Sequence, residues 1–201
     1  MATQALRYIL ETAFDLFVLA VLTRFYAQAF RAPFRNPIAN FIVALTDFAV
    51  KPMRKIIPGA MGLDLASLLV AWIAQSVLLS ALYAMISLNV LAMPEFWPAL
   101  VLLAMVKLAK LTIYLLMGVV IIQALLSWVS PYHPIRPFFD ALSRPFLRPF
   151  QRLIPLVGGV DLSPLILLVI LQVILIAPML WLELEAAKPI ARLLGVPLSN
   201  G

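Results

Sequence analysis

Hydrophobic positions along the chain fall into four long apolar stretches, separated by mixed segments and short loops. The apolar stretches cover about residues 5–30, 65–91, 99–129 and 164–181. Each is long enough for a transmembrane helix, which needs roughly 17–25 residues. The pattern therefore predicts an all-α membrane protein with four transmembrane helices.

Two mixed segments, residues 36–58 and 134–155, show a different pattern. Their apolar residues recur about every 3.6 positions, and their basic residues fall mainly on the other side of the helix. Such amphipathic helices lie in the plane of the membrane interface and attract anionic lipid, although packing on other protein is an open alternative. We expect Pro52, Pro145 and Pro149 to kink or divide these helices. The basic residues expected to bind lipid or a partner are Lys51, Arg54, Lys55, Arg144, Arg148 and Arg152.

The second half of the chain repeats the first. Residues 46–75 match residues 143–172 without a gap at a shift of 97, and charges, prolines and a glutamine coincide. Residues 1–92 and 99–182 are thus predicted to be two repeats, each with a span, an amphipathic surface segment and a second span, followed by a polar tail at 183–201. Because two spans separate equivalent points, the repeats run parallel and are related by an axis along the membrane normal.

Polar residues within the predicted spans are costly in lipid unless they pair, reach the interface or line water. When two extra residues are allowed in the loop of the first repeat, Glu11 of the first span aligns with Lys110 of the third, and Arg24 aligns with Gln123. We interpret the acid and the base as an ion pair, or as a pair that reaches the interface, that joins the first and third spans. A polar path for ions or protons is the alternative. The glutamines at equivalent depths in the second and fourth spans are expected to hydrogen-bond to each other or to a shared ligand. The residues concerned are Glu11, Asp15, Gln75, Lys107, Lys110 and Gln172.

Asp64 and Asp161 stand immediately before the second and fourth predicted spans. A carboxylate at that place accepts hydrogen bonds from the free N–H groups of the first turn and favours the positive end of the helix dipole. Ser163 is a further candidate cap for the last span. The other interpretation of the two aspartates is that they are functional acids at the membrane surface.

Composition and charge support the membrane class. Hydrophobic residues make up 64% of the chain and charged residues 12%, with a mean hydropathy of +1.06; soluble domains average about 45–50% and about 25%. The net charge of +6 indicates topology and contact with anionic lipid rather than nucleic acid. Nine basic residues lie on the side of the surface segments and at most five on the other. The positive-inside rule therefore predicts cytoplasmic surface segments and periplasmic termini.

The chain offers little for catalysis. It has no cysteine, and His133 is its only histidine, so a thiol nucleophile and a multi-histidine metal site are excluded. No serine lies in a nucleophile-elbow pattern, and the glycines form no phosphate-binding loop. We therefore expect a protein that is not an enzyme and that needs no cofactor.

Both repeats carry a motif of Asn-Pro or His-Pro, an aromatic segment, a basic cluster, and Gly-x-Asp-Leu before a span. It extends from Asn36 to Ser67 in the first repeat and from His133 to Pro164 in the second. The motif resembles that of the YggT family, over nearly the whole chain, in the two-repeat form typical of proteobacteria. The resemblance implies a bacterial inner-membrane protein without assigned enzymatic activity. It also implies a link to osmotic-stress tolerance and ion uptake and, for photosynthetic relatives, to c-type haem attachment and organisation of the division apparatus or nucleoid.

Two functional hypotheses follow. The first is a non-enzymatic accessory or assembly protein that holds anionic lipid or a membrane complex through its basic cytoplasmic segments. The second is a small, oligomeric ion channel or transporter component with a polar intramembrane path. The polar groups of the spans are few, and an isolated four-helix unit can satisfy them internally, which favours the first. The expected partners are bilayer lipid, a membrane-protein complex or further copies of the chain, and not nucleic acid.

Overall fold

Helices build the architecture of the described part of the chain. The structure is a computed structural model that describes residues 1–57, 59, 62–130, 132–154 and 161–195. A 3₁₀ helix joins the third helix to the fourth, and a π-helical turn lies within the last one. The all-α fold class is therefore confirmed. The helices are α1 (Ala2–Ala29), α2 (Pro37–Ile56), α3 (Leu65–Ala84), α4 (Phe96–Val129), α5 (Arg136–Leu153) and α6 (Ser163–Leu193), with the 3₁₀ helix at Leu88–Ala92 and the π-helical turn at Leu175–Met179.

Three of the described helices, α3, α4 and α6, are long and apolar enough to cross a membrane. The chain is therefore a membrane protein. The first helix, α1, has 28 residues but is not among the three. Its charged residues Arg7, Glu11, Asp15 and Arg24 lower its hydropathy. By length and composition, three of the four predicted spans are thus supported.

Helix α1 nevertheless packs along α3, and both contact α4. Val18, Val21 and Leu22 of α1 are fully buried in a shared core with Val70 of α3 and Leu108 of α4. In lipid, close van der Waals packing holds helices together, because the surrounding acyl chains are as apolar as the side chains. This core therefore keeps α1 against the other helices despite its charges.

A second core joins the two halves of the chain. Ala27 of α1 and Ala39 of α2 lie there with Phe138 and Phe139 of α5 and Val119 of α4. The small alanine side chains allow the helices to approach closely. The helices α2 and α5 therefore lie at one end of the bundle, where α1 and α4 end and where α3 and α6 begin. This end of the bundle is called the motif end below.

Pro52, Pro145 and Pro149 lie within continuous helices, so the expectation that they divide the two mixed segments is wrong. Each proline removes one backbone hydrogen bond from its helix. All three are exposed, where the ring meets no neighbouring helix. Buried residues on both sides, such as Leu142 and Leu147 around Pro145, hold the helix against the bundle.

The segment predicted to be a polar tail is helical as far as Leu193. Ala186 and Ile190, one turn apart, are buried against Phe96, Leu100 and Leu103 at the start of α4. The charged residues of this segment alternate with apolar ones at helical spacing, so that the segment presents one apolar side to α4. Residues 196–201 lie outside the described part of the chain.

Candidate functional site

The six basic residues expected to bind lipid or a partner are all exposed at the motif end. On α2, Ala39, Ile42, Thr46 and Val50 are buried on one side. Phe41, Phe48 and Ile56 form a second side, on which they are exposed by 66, 72 and 74%. Asp47, Lys51 and Lys55 project from a third. Helix α2 thus presents separate protein-packed, exposed apolar and charged sides.

Helix α5 is held more firmly against protein. Phe138, Phe139, Leu142 and Leu147 are exposed by 6% or less. The alternative that we left open, packing on protein, therefore describes most of the apolar side of this helix. Its exposed side carries three basic residues at four-residue spacing, Arg144, Arg148 and Arg152.

These three arginines form one row of positive charge. None of them makes an ion pair or hydrogen bond within the described part of the chain. Like charges at four-residue spacing destabilise a helix by a few tenths of a kcal/mol per pair. A bound anion would relieve this repulsion, so the row of arginines is a candidate site for an anionic group.

On α2 the basic residue Arg54 is occupied by an ion pair. Its Nε lies 3.1 Å from Asp64 Oδ1 and its Nη2 lies 2.5 Å from Asp64 Oδ2. Asp64 is 1% exposed and also accepts from the Ser67 backbone N–H at 3.4 Å and from the Ser67 hydroxyl at 2.5 Å. Asp64 is the N-cap residue of α3. This bidentate pair fixes the end of α2 to the beginning of α3.

Protonation of this pair follows from its contacts. Burial alone would raise the pKa of the Asp64 carboxyl, but hydrogen bonds from Arg54 and Ser67 hold that pKa below its usual value. The hydrogen bond to Asp64 in turn raises the pKa of Arg54. Both groups are therefore charged at neutral pH.

The second half of the chain has the same contact without the ion pair. At the shift of 97, Arg54 and Asp64 correspond to Gln151 and Asp161, and Gln151 Nε2 donates to Asp161 Oδ2 at 2.8 Å. Asp161 Oδ1 accepts from the Ser163 N–H at 2.9 Å. Burial raises the pKa of Asp161, but hydrogen bonds from Ser163 and Gln151 outweigh it and lower that pKa. The hydroxyl of Ser163 itself is buried and finds no acceptor or donor among the described residues.

Arg24 ties α1 to α2 at the same end of the bundle. It is only 4% exposed, and its Nη1 lies 2.8 Å from Thr46 Oγ1 and 2.9 Å from Asp47 Oδ1. Lys51 Nζ lies 2.8 Å from the other oxygen of Asp47. The hydrogen bond from Lys51 is the main reason that the pKa of Asp47 is lowered, and the bond from Arg24 adds to it. Two of the basic residues on α2, Lys51 and Arg54, therefore have an acidic partner within the chain, although Lys51 shares Asp47 with Arg24.

In the second half, Gln123 aligns with Arg24 when two extra residues are allowed in the loop of the first repeat, so an uncharged amide replaces the guanidinium group. Gln123 of α4 donates to Asp140 Oδ1 at 3.3 Å, and both line a cavity of about 510 Å³. Ser143, Arg144 and Gln151 also line it. Gln123 Oε1 is buried and has no hydrogen-bond partner among the described residues. This cavity lies beside the row of arginines.

A second polar site lies within the bundle. Lys107 Nζ and Lys110 Nζ of α4 lie 2.5 Å and 2.6 Å from the two carboxylate oxygens of Glu183 on α6. Glu11 instead pairs with Arg7 of its own helix at 2.9 Å. The predicted ion pairs between the first and third spans are therefore wrong. The reason is that α6 continues beyond Trp181, which was the predicted end of the last span, and brings Glu183 beside α4.

Five of the six predicted intramembrane polar residues nevertheless converge on one cavity of about 210 Å³ between α1, α3 and α4. Gln75 is 2% exposed, and its Oε1 has no hydrogen-bond partner among the described residues. The five residues that line the cavity are Glu11, Asp15, Gln75, Lys107 and Lys110.

The sixth residue, Gln172, lies apart. It is exposed on α6, so the predicted hydrogen bond between Gln172 and Gln75 is wrong. The two glutamines occupy equivalent positions in sequence but not in packing. Helix α3 lies between α1 and α4, whereas this part of α6 packs on α4 and α5.

Arg24 and Glu183 are polar residues to which the sequence analysis gave no role in a site. Glu183 follows an apolar stretch in the sequence. Such an acid can be expected to pair with a base on a neighbouring helix only if its own helix is known to continue past the apolar stretch. Among the described residues, no cluster of three or more histidine, cysteine or acidic side chains could hold a metal ion.

These features define a helical membrane protein with two groups of charged residues, a basic surface at the motif end and a cluster of acids and bases within the bundle. The sequence profile of the CCB3/YggT family matches residues 3–92 and 102–182. The chain therefore belongs to the CCB3/YggT family.

Uncharacterized bacterial proteins are similar to this chain over most of their length. One, from Vibrio alginolyticus, is 37% identical over 169 residues, which are 84% of this chain and 90% of the relative. Another, from Pseudomonas aeruginosa, is 37% identical over 83% of this chain and 84% of its own length. The uncharacterized protein YggT of Escherichia coli K12 is 34% identical over 84% of this chain and 86% of its own length. No solved structure matches the chain.

Proposed function

We propose that this protein is a non-enzymatic accessory or assembly protein of the bacterial inner membrane. In this proposal it holds anionic lipid, or an acidic part of a membrane complex, at the cytoplasmic surface, and it contributes in this way to osmotic-stress tolerance or to the assembly of that complex. The observation that carries the proposal is the exposed row Arg144, Arg148 and Arg152, which has no counter-charge among the described residues.

Comparison of the two halves sharpens the proposal. At the shift of 97, the row of arginines corresponds to Asp47, Lys51 and Lys55 of α2. The formal charge of these three positions is therefore +1 in the first half and +3 in the second. We propose that α5 is the main anion-binding helix and that α2 anchors the motif end in the membrane.

The anchoring role rests on the sides of α2. Its exposed phenylalanines, Phe41 and Phe48, lie next to its charged side, as in an amphipathic helix with one side in the lipid and another in water. We further propose that α1 is the fourth span, since its core contacts with α3 and α4 give it the position of a bundle helix. Four spans in two parallel repeats then place both basic segments in the cytoplasm by the positive-inside rule.

The binding experiment replaces all three arginines by glutamine in R144Q/R148Q/R152Q. Each basic residue near an anionic surface contributes about 1 kcal/mol, so three contribute up to about 3 kcal/mol, or roughly 100-fold in relative affinity. We expect the preference of the reconstituted protein for phosphatidylglycerol over phosphatidylcholine to fall by at least about tenfold. Competitive quenching of tryptophan fluorescence by brominated lipids measures this preference.

The matched control is R144K/R148K/R152K, which keeps the charge. It should retain the preference, and added salt should weaken it in both the natural chain and this control. An unchanged lipid preference in the glutamine variant would remove the basis for anionic-lipid binding.

A cellular experiment separates the proposed function from conduction. A deletion strain carries either the arginine-to-glutamine variant or Q75L/Q172L, at equal membrane abundance, and growth and cytoplasmic potassium are followed after an osmotic upshift. We expect only the arginine variant to fail. Failure of the Q75L/Q172L variant alone, with altered potassium, would instead support a channel or transporter component.

A further inference from the structure

A polar crevice enters the bundle from the end opposite the motif end. The cavity of about 210 Å³ that contains Gln75 adjoins a second cavity of about 140 Å³, since both are lined by Glu11, Leu79, Leu82 and Lys107. The second cavity also contacts Ile86, which is 59% exposed just beyond the end of α3. The two cavities, called the crevice below, thus extend from the end of α3 towards its middle.

The depth of the crevice follows from helix geometry. Ile86 and Gln75 are eleven residues apart, which corresponds to roughly 16 Å at about 1.5 Å per helical residue. The hydrocarbon core of a bilayer is about 30 Å thick. The crevice therefore reaches about halfway through the membrane and ends at Gln75.

Two acceptor groups in the crevice need a partner. Gln75 Oε1 is buried without a hydrogen bond, and Asp15 forms no hydrogen bond or ion pair with any described residue. A buried amide oxygen without a donor is destabilising, and the partly buried Asp15 carboxylate interacts electrostatically with Lys107 and Lys110 but accepts no hydrogen bond from any described residue. A guest that donates hydrogen bonds would satisfy both acceptors.

The charges of the crevice indicate what this guest is. Three basic groups, Arg7, Lys107 and Lys110, face three acids, Glu11, Asp15 and Glu183, so that their formal charges cancel. An added ion would leave an uncompensated charge within the membrane. A neutral guest with both donors and acceptors fits better, and one water molecule takes about 30 Å³ in the liquid. The crevice has room for several.

We propose that the crevice is a water-filled vestibule, open at the end opposite the motif end, whose innermost water molecules are held by Gln75 and Asp15. It hydrates the cluster of charged groups, so that these charges persist at membrane depth without pairing completely with one another. This inference does not depend on the row of arginines, so it can be refuted without refuting the proposed function, and the reverse also holds.

The test uses the absence of cysteine from the natural chain. Leu78 lines the crevice at 2% exposure, whereas its neighbour Val77 is 51% exposed at the same depth on the outer side of α3. L78C and V77C, reconstituted in bilayers, are treated with a small charged methanethiosulfonate reagent. Thiols react as thiolates, which form in water and not in lipid, so we expect the thiol of L78C to be labelled on the order of tenfold faster than the thiol of V77C.

Two further variants make the result decisive. L82C lies nearer the opening and lines both cavities, so it should react at least as fast as L78C. Adding Q75L to L78C should slow the labelling severalfold, because the amide that holds the inner water is lost. Failure of both L78C and L82C to react in folded protein would show a dry crevice and overturn the proposal. Equal labelling rates for V77C and L78C would overturn it too, since they would place water on both sides of α3.

Discussion

Replacing Arg54 by glutamine tests how much the ion pair between Arg54 and Asp64 contributes to stability, and the second half of the chain shows the contact that would remain. R54Q would turn the first-half contact into the contact that Gln151 and Asp161 already make in the second half. The variant keeps one amide donor near the Asp64 carboxylate, and Ser67 keeps its two hydrogen bonds to the same carboxylate. What is lost is the positive charge and the bidentate geometry.

The loss of stability expected for R54Q depends on how deeply the ion pair is buried. Removing one partner of a fully buried ion pair costs about 3–5 kcal/mol. Asp64 is 1% exposed, but the Arg54 side chain is 39% exposed, so the pair lies at the edge of the protein. Solvent screening and the remaining amide donor place R54Q lower, at about 1–3 kcal/mol of lost stability. R54A, which leaves no donor at position 54, should cost more than R54Q.

The pKa of Asp64 determines how the stability of the protein changes with pH. Asp64 has a folded-state pKa below its usual value, so its contribution to stability is present above the unfolded-state pKa and is lost as the pH falls through the folded-state pKa. Burial disfavours the charged form of Asp64, and without Arg54 fewer hydrogen bonds favour it. The folded-state pKa of Asp64 therefore rises in R54Q. Acid destabilisation of R54Q should therefore begin at a higher pH than in the natural chain.

Unfolding of the purified protein in mixed micelles, by titration with sodium dodecyl sulfate and circular dichroism, measures these effects. K55Q is the matched control, because Lys55 is exposed on the same helix and makes no ion pair with any described residue. The reciprocal change Q151R should stabilise the protein, since it places a cation beside Asp161. Equal unfolding midpoints for R54Q and K55Q would show that the Arg54–Asp64 pair contributes nothing to stability.

Two further predictions use the same titration. E183A removes the acid that Lys107 and Lys110 share, and it should lower stability by about 2–4 kcal/mol, since the two lysines are only 34% and 25% exposed. The triple variant K107Q/K110Q/E183Q should recover part of this loss. Absence of coupling in a double-mutant analysis would refute the ion-pair interpretation. R24Q places at Arg24 the residue found at position 123 and should cost about 1–3 kcal/mol, because Arg24 is 4% exposed and donates to both Thr46 and Asp47. A cost no larger than that of K55Q would mean that Arg24 is not needed to hold α1 against α2.

The helical period of the sequence assigns the basic residues of α2 and α5 to one side of each helix, because each residue turns the helix by a fixed angle, and these residues are exposed in the structure. Glu11, Asp15, Lys107 and Lys110 line one cavity, because polar residues in lipid turn inward. Their partners could not be assigned in this way. Which lysine meets which acid depends on how the helices cross, and Glu183 became a partner only because α6 continues past Trp181.

The repeat in the sequence also could not predict contacts that depend on how helices of the two halves pack. At a shift of 97, the contact between Gln151 and Asp161 corresponds to the contact between Arg54 and Asp64, since each forms between neighbouring parts of one half. The shift failed for Gln75 and Gln172, whose surroundings depend on helices from both halves. Helix α1 covers α3 on the side of Gln75, whereas Gln172 stays exposed. The contact of Gln151 with Asp161 thus follows the repeat, and the surroundings of Gln75 and Gln172 do not.

This difference bears on where a partner would bind. In the first half, Asp47 pairs with both Lys51 and Arg24, and Asp64 pairs with Arg54. The Arg24–Asp47 pair joins α1 to α2, and the Arg54–Asp64 pair joins α2 to the beginning of α3. In the second half, an arginine stands at the position of Asp47 and a glutamine at that of Arg54. Arg144, Arg148 and Arg152 of α5 therefore have no ion-pair partner among the described residues. Charge reversal at one position, R144D, would recreate the first-half pattern on α5, and binding of an anionic group there should weaken more than the loss of a single arginine would explain.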